Sequence, residues 1–201
     1  MSRRIRLVLV DSSGGPLGTL PMFDVETPWW SEVETVVTAA RALFGVDLFV
    51  LRVVDVDGGK FMCNGLVTYT AEVTGALSAV PTLEPAPNGL PLGDEPLRAT
   101  WARPGGIAST VAWADRVLEE LGTPRTGPVV QTKAWNLSSV LRVPIGDGVV
   151  WCKSVPPFLA HEGAIIGWLA RERPTLVPNL LAADPARATV LLADLGADEQ
   201  W

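Results

Sequence analysis

Five prolines, Pro81, Pro85, Pro87, Pro91 and Pro96, fall within sixteen residues of this 201-residue chain. Proline fixes φ and has no N–H to donate, so the stretch between Val80 and Arg98 cannot be helix or central strand. It is either a long surface loop or a linker, and the regular elements must be built before it and after it. The length suits one large domain or two small ones. With 48% apolar residues the chain can bury a real core, and a disordered chain is excluded.

The formal charge is −6, and no basic run exists beyond Arg3-Arg4, which argues against nucleic acid or an anionic membrane as partner. Ile5–Val10 is too short for a signal-peptide core and Asp11 ends it. No stretch approaches the roughly 18 apolar residues of a membrane span. The expectation is a soluble, cytoplasmic protein. Cys63 and Cys152 form no CxxC pair and are expected to be free thiols, with a single bridge as the alternative. His161 is the sole histidine, too little for a zinc site or for chemistry needing two imidazoles.

The first half predicts a small α+β domain over residues 1–95. Ile5, Leu7 and Leu9 alternate with Arg6, Val8 and Val10, and Gly14-Gly15-Pro16 turns the chain into a second strand over Leu17–Phe23. Thr27 and Pro28 read as the cap and first position of a helix, with Trp30, Val33, Val37, Ala40 and Phe44 on its buried stripe and Gly45 as its stop. Strands are expected at Val46–Val56 and Phe61–Val73, around Asp57-Gly58-Gly59. Residues 96–126 read as a connector carrying a helix from about Ile107 to Leu121.

From 127 to 201 the predicted order is β-β-β-α-β-β. Strands at Val129–Thr132 and Val140–Val143 flank the loop Ala134–Ser139. Gly146-Asp147-Gly148 turns into a third strand, Gly148–Val155, which carries Lys153 on the face of Val149, Trp151 and Val155. Pro156-Pro157 opens a helix running to about Arg171, and strands follow at Val177–Ala183 and Thr189–Ala193. The chain has thirteen arginines and only three lysines, Lys60, Lys133 and Lys153. A slim ammonium on an apolar strand therefore stands out as a phosphate-gripping point charge. The competing reading is a lysine whose stem covers apolar surface while its head reaches water. Glu162 shares a helix face with Ile165, Ile166 and Leu169, and a carboxylate inside an apolar stripe needs a partner. Lys153 is the nearest cation in sequence.

Taken with the AWNLSSV loop, the Val-Trp-Cys-Lys153 strand, Ala-His-Glu162, Val177-Pro-Asn-Leu-Leu and Val190-Leu-Leu-Ala-Asp-Leu-Gly196, residues 129–201 resemble the amino-terminal lobe of aminoglycoside-phosphotransferase-like small-molecule kinases. The resemblance implies a kinase-like lobe of antiparallel sheet plus one helix behind a cap-like first domain, with the second lobe absent and the chain ending at the hinge. It implies ATP as ligand, with Lys153 on the phosphates and Glu162 fixing its ammonium. Asn136, Ser138 and Ser139 would lie in the loop over the phosphates. Backbone groups of Leu192–Leu195, notably Ala193 and Leu195, would bond adenine. Magnesium ligands, the catalytic base and the pocket for the small-molecule acceptor would belong to the missing lobe. No H-x-D…N loop is present, since His161 is followed by Glu162-Gly163, so no catalytic residue is expected in this chain.

Two other motifs compete. Asp194-Leu-Gly196 has the outline of a metal-binding D-F-G, yet only one helix and two strands follow Lys153, which fits the hinge instead. Trp101-Ala-Arg-Pro-Gly-Gly106 followed by Glu119-Glu120-Leu-Gly122 matches a Nudix box only at its end, and a solvated acidic helix end is the better reading. The reading from a different class is a non-catalytic nucleotide-binding or protein-interaction module.

Overall fold

The computed structural model describes residues 2–75, 82–93, 95–146, 148–194 and 196. The fold is mixed α+β, with two sheets and, among the described residues, three α-helices. None of these helices is long and apolar enough to cross a membrane. The chain divides into two compact units, Met1–Ile107 with Gln131–Trp135, and Ala108–Val130 with Asn136–Trp201. The expected connector over 96–126 is thus shared out, its first part to the first unit and its helix to the second.

The first unit contains β1 (Arg3–Val10), β2 (Pro16–Thr19), β3 (Phe23–Val25), α1 (Glu34–Phe44), β4 (Leu48–Asp57) and β5 (Leu66–Val73). The sheet order is β2-β1-β5-β4, with β3 also on β1. β1 and β5 run parallel, and the other pairs are antiparallel. The anticipated strand over Leu17–Phe23 is two short strands, because Pro21 cannot donate to β1 and the chain breaks there. Ile5, Leu7 and Leu9 do form one core face, packed with Val67, Tyr69, Ala71, Val36 and Ala40.

The first helix begins later than its capping signal suggests. Thr27 and Pro28 do not start it; its N-cap is Val33. Residues 28–33 are held instead by tertiary backbone bonds, Trp30 N–H to Met62, Val33 N–H to Thr132, and Asn64 N–H to the Pro28 carbonyl. Those bonds take groups that a longer helix would have used. Its end is as expected, on Gly45 at φ 67°, a left-handed conformation that costs glycine little.

Among its described residues the proline-rich segment is neither helix nor, apart from one bridge at Glu84, strand; Val80, Pro81 and Asp94 lie outside them. It belongs to the first unit and rests on it: Glu84 exchanges two backbone hydrogen bonds with Thr19, at 2.8 and 3.0 Å. A 3₁₀ turn at Thr100–Ala102 leads on, with Trp101 and Ala102 buried.

The remaining elements are α2 (Gly106–Glu120), β6 (Val130–Ala134), β7 (Ser139–Ile145), β8 (Gly148–Ser154), α3 (Glu162–Glu172), β9 (Leu180–Asp184) and β10 (Thr189–Ala193). The second sheet has the order β6-β7-β8-β10-β9, so the predicted succession of strands and helix is observed. Within it β7, β8, β10 and β9 pair antiparallel. Pro156-Pro157 leads into a 3₁₀ turn at Pro157–Leu159, and α3 itself starts at Glu162. Leu141, Val143, Val150, Cys152 and Leu191 are buried in this unit.

Candidate nucleotide site

Strand alternation divides β8 between two environments. Val150, Cys152 and Ser154 point to the buried side, while Val149, Trp151 and Lys153 are half-buried. Lys153 therefore lies with Val149 and Trp151, as expected, and theirs is the more open face of the strand. Its cross-strand neighbours are Val140 on β7 and Val190 on β10.

The helix carrying Glu162 packs on β9 and β10. Gly163 makes that approach possible. A Cβ added there would lie 2.8 Å from the Ala183 Cβ and 3.1 Å from Val190 Cγ1. The buried stripe of α3 is therefore Gly163 and Ile166, whereas Ile165 is exposed and Glu162 is half-buried at the stripe's edge. The 3₁₀ turn also shortens the path from strand to helix, so nine residues suffice to bring the two charges together.

Lys153 Nζ donates to Glu162 Oε1 at 2.5 Å, with the side chains 33% and 26% exposed. The ammonium has three N–H donors and this bond uses one. Glu162 sits in the first turn of α3, where the helix dipole favours a negative charge. A fixed, partly solvated cation with donors to spare can grip an anionic ligand without moving.

The other anticipated residues are placed less uniformly. Asn136 and Leu137 are exposed in the loop between β6 and β7, and Ser138 is half-buried there. Ser139 does not join Lys153. It pairs in register with Ser154, the residue after Lys153, and is buried, so its hydroxyl belongs to the opposite side of the sheet. That Oγ has no hydrogen-bond partner among the described residues, while Ser154 Oγ and Thr189 Oγ1 share a bond of 2.9 Å. The Ala193 N–H already donates to the Asn179 carbonyl at 2.9 Å, so it is not open to an adenine. Leu195 lies outside the described residues.

Sequence reasoning assigned no role to Gly163 and did not foresee a contact between the side chains of Trp151 and Asp194. The Trp151 indole donates to Asp194 Oδ1 at 2.8 Å on the Lys153 face, which ties the end of β10 to β8. A glycine directly after the one helical carboxylate of interest was the available signal for close packing. Cys152 faces away from Lys153, and burial pushes its thiol up to about 12. Both cysteines are free. Among the described residues no three acidic, histidine or cysteine side chains are grouped to hold a metal ion.

No family model, no curated protein and no solved structure matches the chain.

Proposed function

We propose that residues 127–201 form the nucleotide-binding front lobe of a phosphotransferase of the aminoglycoside-phosphotransferase-like kind, acting on a small molecule such as a sugar, aminosugar or aminoglycoside. The observation that carries this reading is the 2.5 Å ion pair between Lys153 on β8 and Glu162 at the start of α3. In this reading Lys153 contacts the phosphates of magnesium-bound ATP, and Glu162 holds the ammonium in place and limits its side-chain entropy loss on binding. The loop at Asn136–Ser138, exposed at Asn136 and Leu137, offers backbone and side-chain donors toward the same phosphates. The chain supplies no H-x-D…N loop, so phosphoryl transfer needs groups beyond those present here, and 201 purified residues are expected to show none.

Binding is the direct test. Mg-ATP should raise the thermal midpoint of the purified chain, and Lys153→Ala should abolish that rise while lowering the ligand-free midpoint little. A partly exposed ion pair is itself worth about 0–1 kcal/mol. A rise equal to that of the native chain would remove Lys153 from the site.

A protein-interaction module is the second reading. Phe158, Ile165, Trp168 and Leu176 are exposed at 68, 46, 54 and 73% around α3, more bare apolar surface than isolated side chains explain. Trp168→Glu separates the two: loss of self-association or partner capture with intact Mg-ATP binding would leave both roles standing. Loss of association in a chain that never binds Mg-ATP would leave only this one.

A further inference from the structure

From Gly163 to Ala170 the helix α3 reads Gly-Ala-Ile-Ile-Gly-Trp-Leu-Ala, with no charged side chain. A helix that is apolar all round is one that other structure surrounds. Here only one side is covered. Gly163 and Ile166 are buried there, and a Cβ added at Gly167 would lie 3.6 Å from Leu180 Cδ2, on the side packed against β9 and β10. On the opposite side His161, Ile165, Trp168 and Glu172 follow at intervals of four, three and four residues, which makes one straight stripe. All four are exposed. Phe158, just before the helix, and Leu176, just after it, are exposed as well.

The stripe reads the same in both directions: a polar end, two large apolar residues, a polar end. Turned end for end about the midpoint between Ile166 and Gly167, position 161 falls opposite 172, and 165 opposite 168. Two α3 helices packed antiparallel about a two-fold axis at that midpoint set Ile165 against the partner's Trp168, and do so twice. They also set His161 against the partner's Glu172 at each end, where an imidazole N–H can donate to a carboxylate. Glu172 is the last residue of α3, a position its own helix dipole disfavours for a negative charge. Antiparallel packing lays that carboxylate beside the N-terminus of the other helix, where the dipole favours it. The same operation carries the Leu176 end of one copy to the Phe158 end of the other.

We propose that the exposed stripe of α3 is a self-association surface whose occupant is a second copy of this chain, packed antiparallel about a two-fold axis between Ile166 and Gly167. Because the contact is the same patch on both copies, it closes into a dimer and not a filament. The inference rests on the protein-interaction reading of this face and supplies its partner; it is independent of the nucleotide reading of Lys153.

The experiment is sedimentation equilibrium of the purified chain across the micromolar range, where a monomer–dimer equilibrium is expected. Trp168→Glu should weaken the dimer by about tenfold or more, as loss of a central aromatic contact does. Ile165→Lys gives the same reading if Trp168→Glu disturbs the far-ultraviolet circular dichroism. His161→Glu should also weaken the dimer, by opposing like charges at both ends, and Glu172→Lys added to it should restore association. That restoration is what a merely sticky surface would not show. A native chain that stays monomeric, a Trp168→Glu chain that dimerises as the native one does, or a double variant no tighter than His161→Glu would each overturn the proposal. A monomeric native chain that holds a different protein through Trp168 would overturn self-pairing and leave the interaction reading standing. Association and capture that both survive Trp168→Glu would remove that reading too.

Discussion

In the first unit the parallel pair β1–β5 has one apolar face, and on the other it buries Val8, Val10, Thr68, Thr70 and Glu72. In the second unit the antiparallel strands bury one face and leave Arg142, Trp151 and Lys153 partly open to water on the other. The first unit also encloses Arg3, whose Nε and Nη1 have no partner among the described residues and whose guanidinium stands 5.9 Å over the Tyr69 ring. Burial lowers the pKa of that arginine and pushes the Tyr69 phenol up to about 12. Polar groups locked inside a unit cannot change partners without loosening it. A pair at the surface, such as Lys153 and Glu162, can accept a third group at little cost.

This contrast can be broken in three ways. The largest effect is expected from Leu7→Ala, which hollows the apolar face of the first sheet and should cost about 2–5 kcal/mol in urea unfolding. An unchanged midpoint would mean that this face does not carry the unit. Gly163→Ala comes next. The added methyl meets Ala183 and Val190 at 2.8 and 3.1 Å, so α3 must shift, at about 1–3 kcal/mol. It should also blunt any Mg-ATP response by moving Glu162 away from Lys153; a native response would uncouple the helix position from the ion pair.

The smallest effect concerns Glu72. Burial is the main cause that raises its pKa, with the Asp11 charge adding to it and the Gly105 N–H opposing it. A carboxyl whose folded pKa lies above its unfolded value favours the protonated folded state. Its ionisation therefore costs nothing below the unfolded pKa, and the cost grows as pH rises through the folded pKa. Glu72→Gln, which keeps an acceptor for Gly105, should raise the thermal midpoint slightly at pH 7 and not at pH 3.5. The opposite order of the two pH values would show that the ionised carboxylate is stabilising and that the face carrying it is not dry.

Some of this was legible in the chain. The β-β-β-α-β-β succession, the alternation of Ile5, Leu7 and Leu9, and the Gly45 stop follow from local rules, and the helix stripe through Val33 and Ala40 is in the core. Lys153 and Glu162 could be paired in advance because the sequence has few lysines and the two residues flank one short turn. Ser139 could not be placed, since a one-residue difference along β7 decides which face of the sheet receives it. Nor could the engagement of the Ala193 amide, because its acceptor, Asn179, lies across a bulged register between β10 and β9.

By itself the sequence determined where elements must stop and which faces are apolar, because proline, glycine and hydrophobic period act within a few residues. It also determined that a lone lysine would follow Trp151-Cys152 on a strand. Only the tertiary structure decided that α1 would yield its first turn to bonds with Met62 and Thr132. The same level of structure bonded the proline-rich segment to the first sheet at Thr19 and brought Glu162 to Lys153 through the bare Cα of Gly163. Those outcomes depend on which distant backbone groups find one another, and no local pattern encodes that competition.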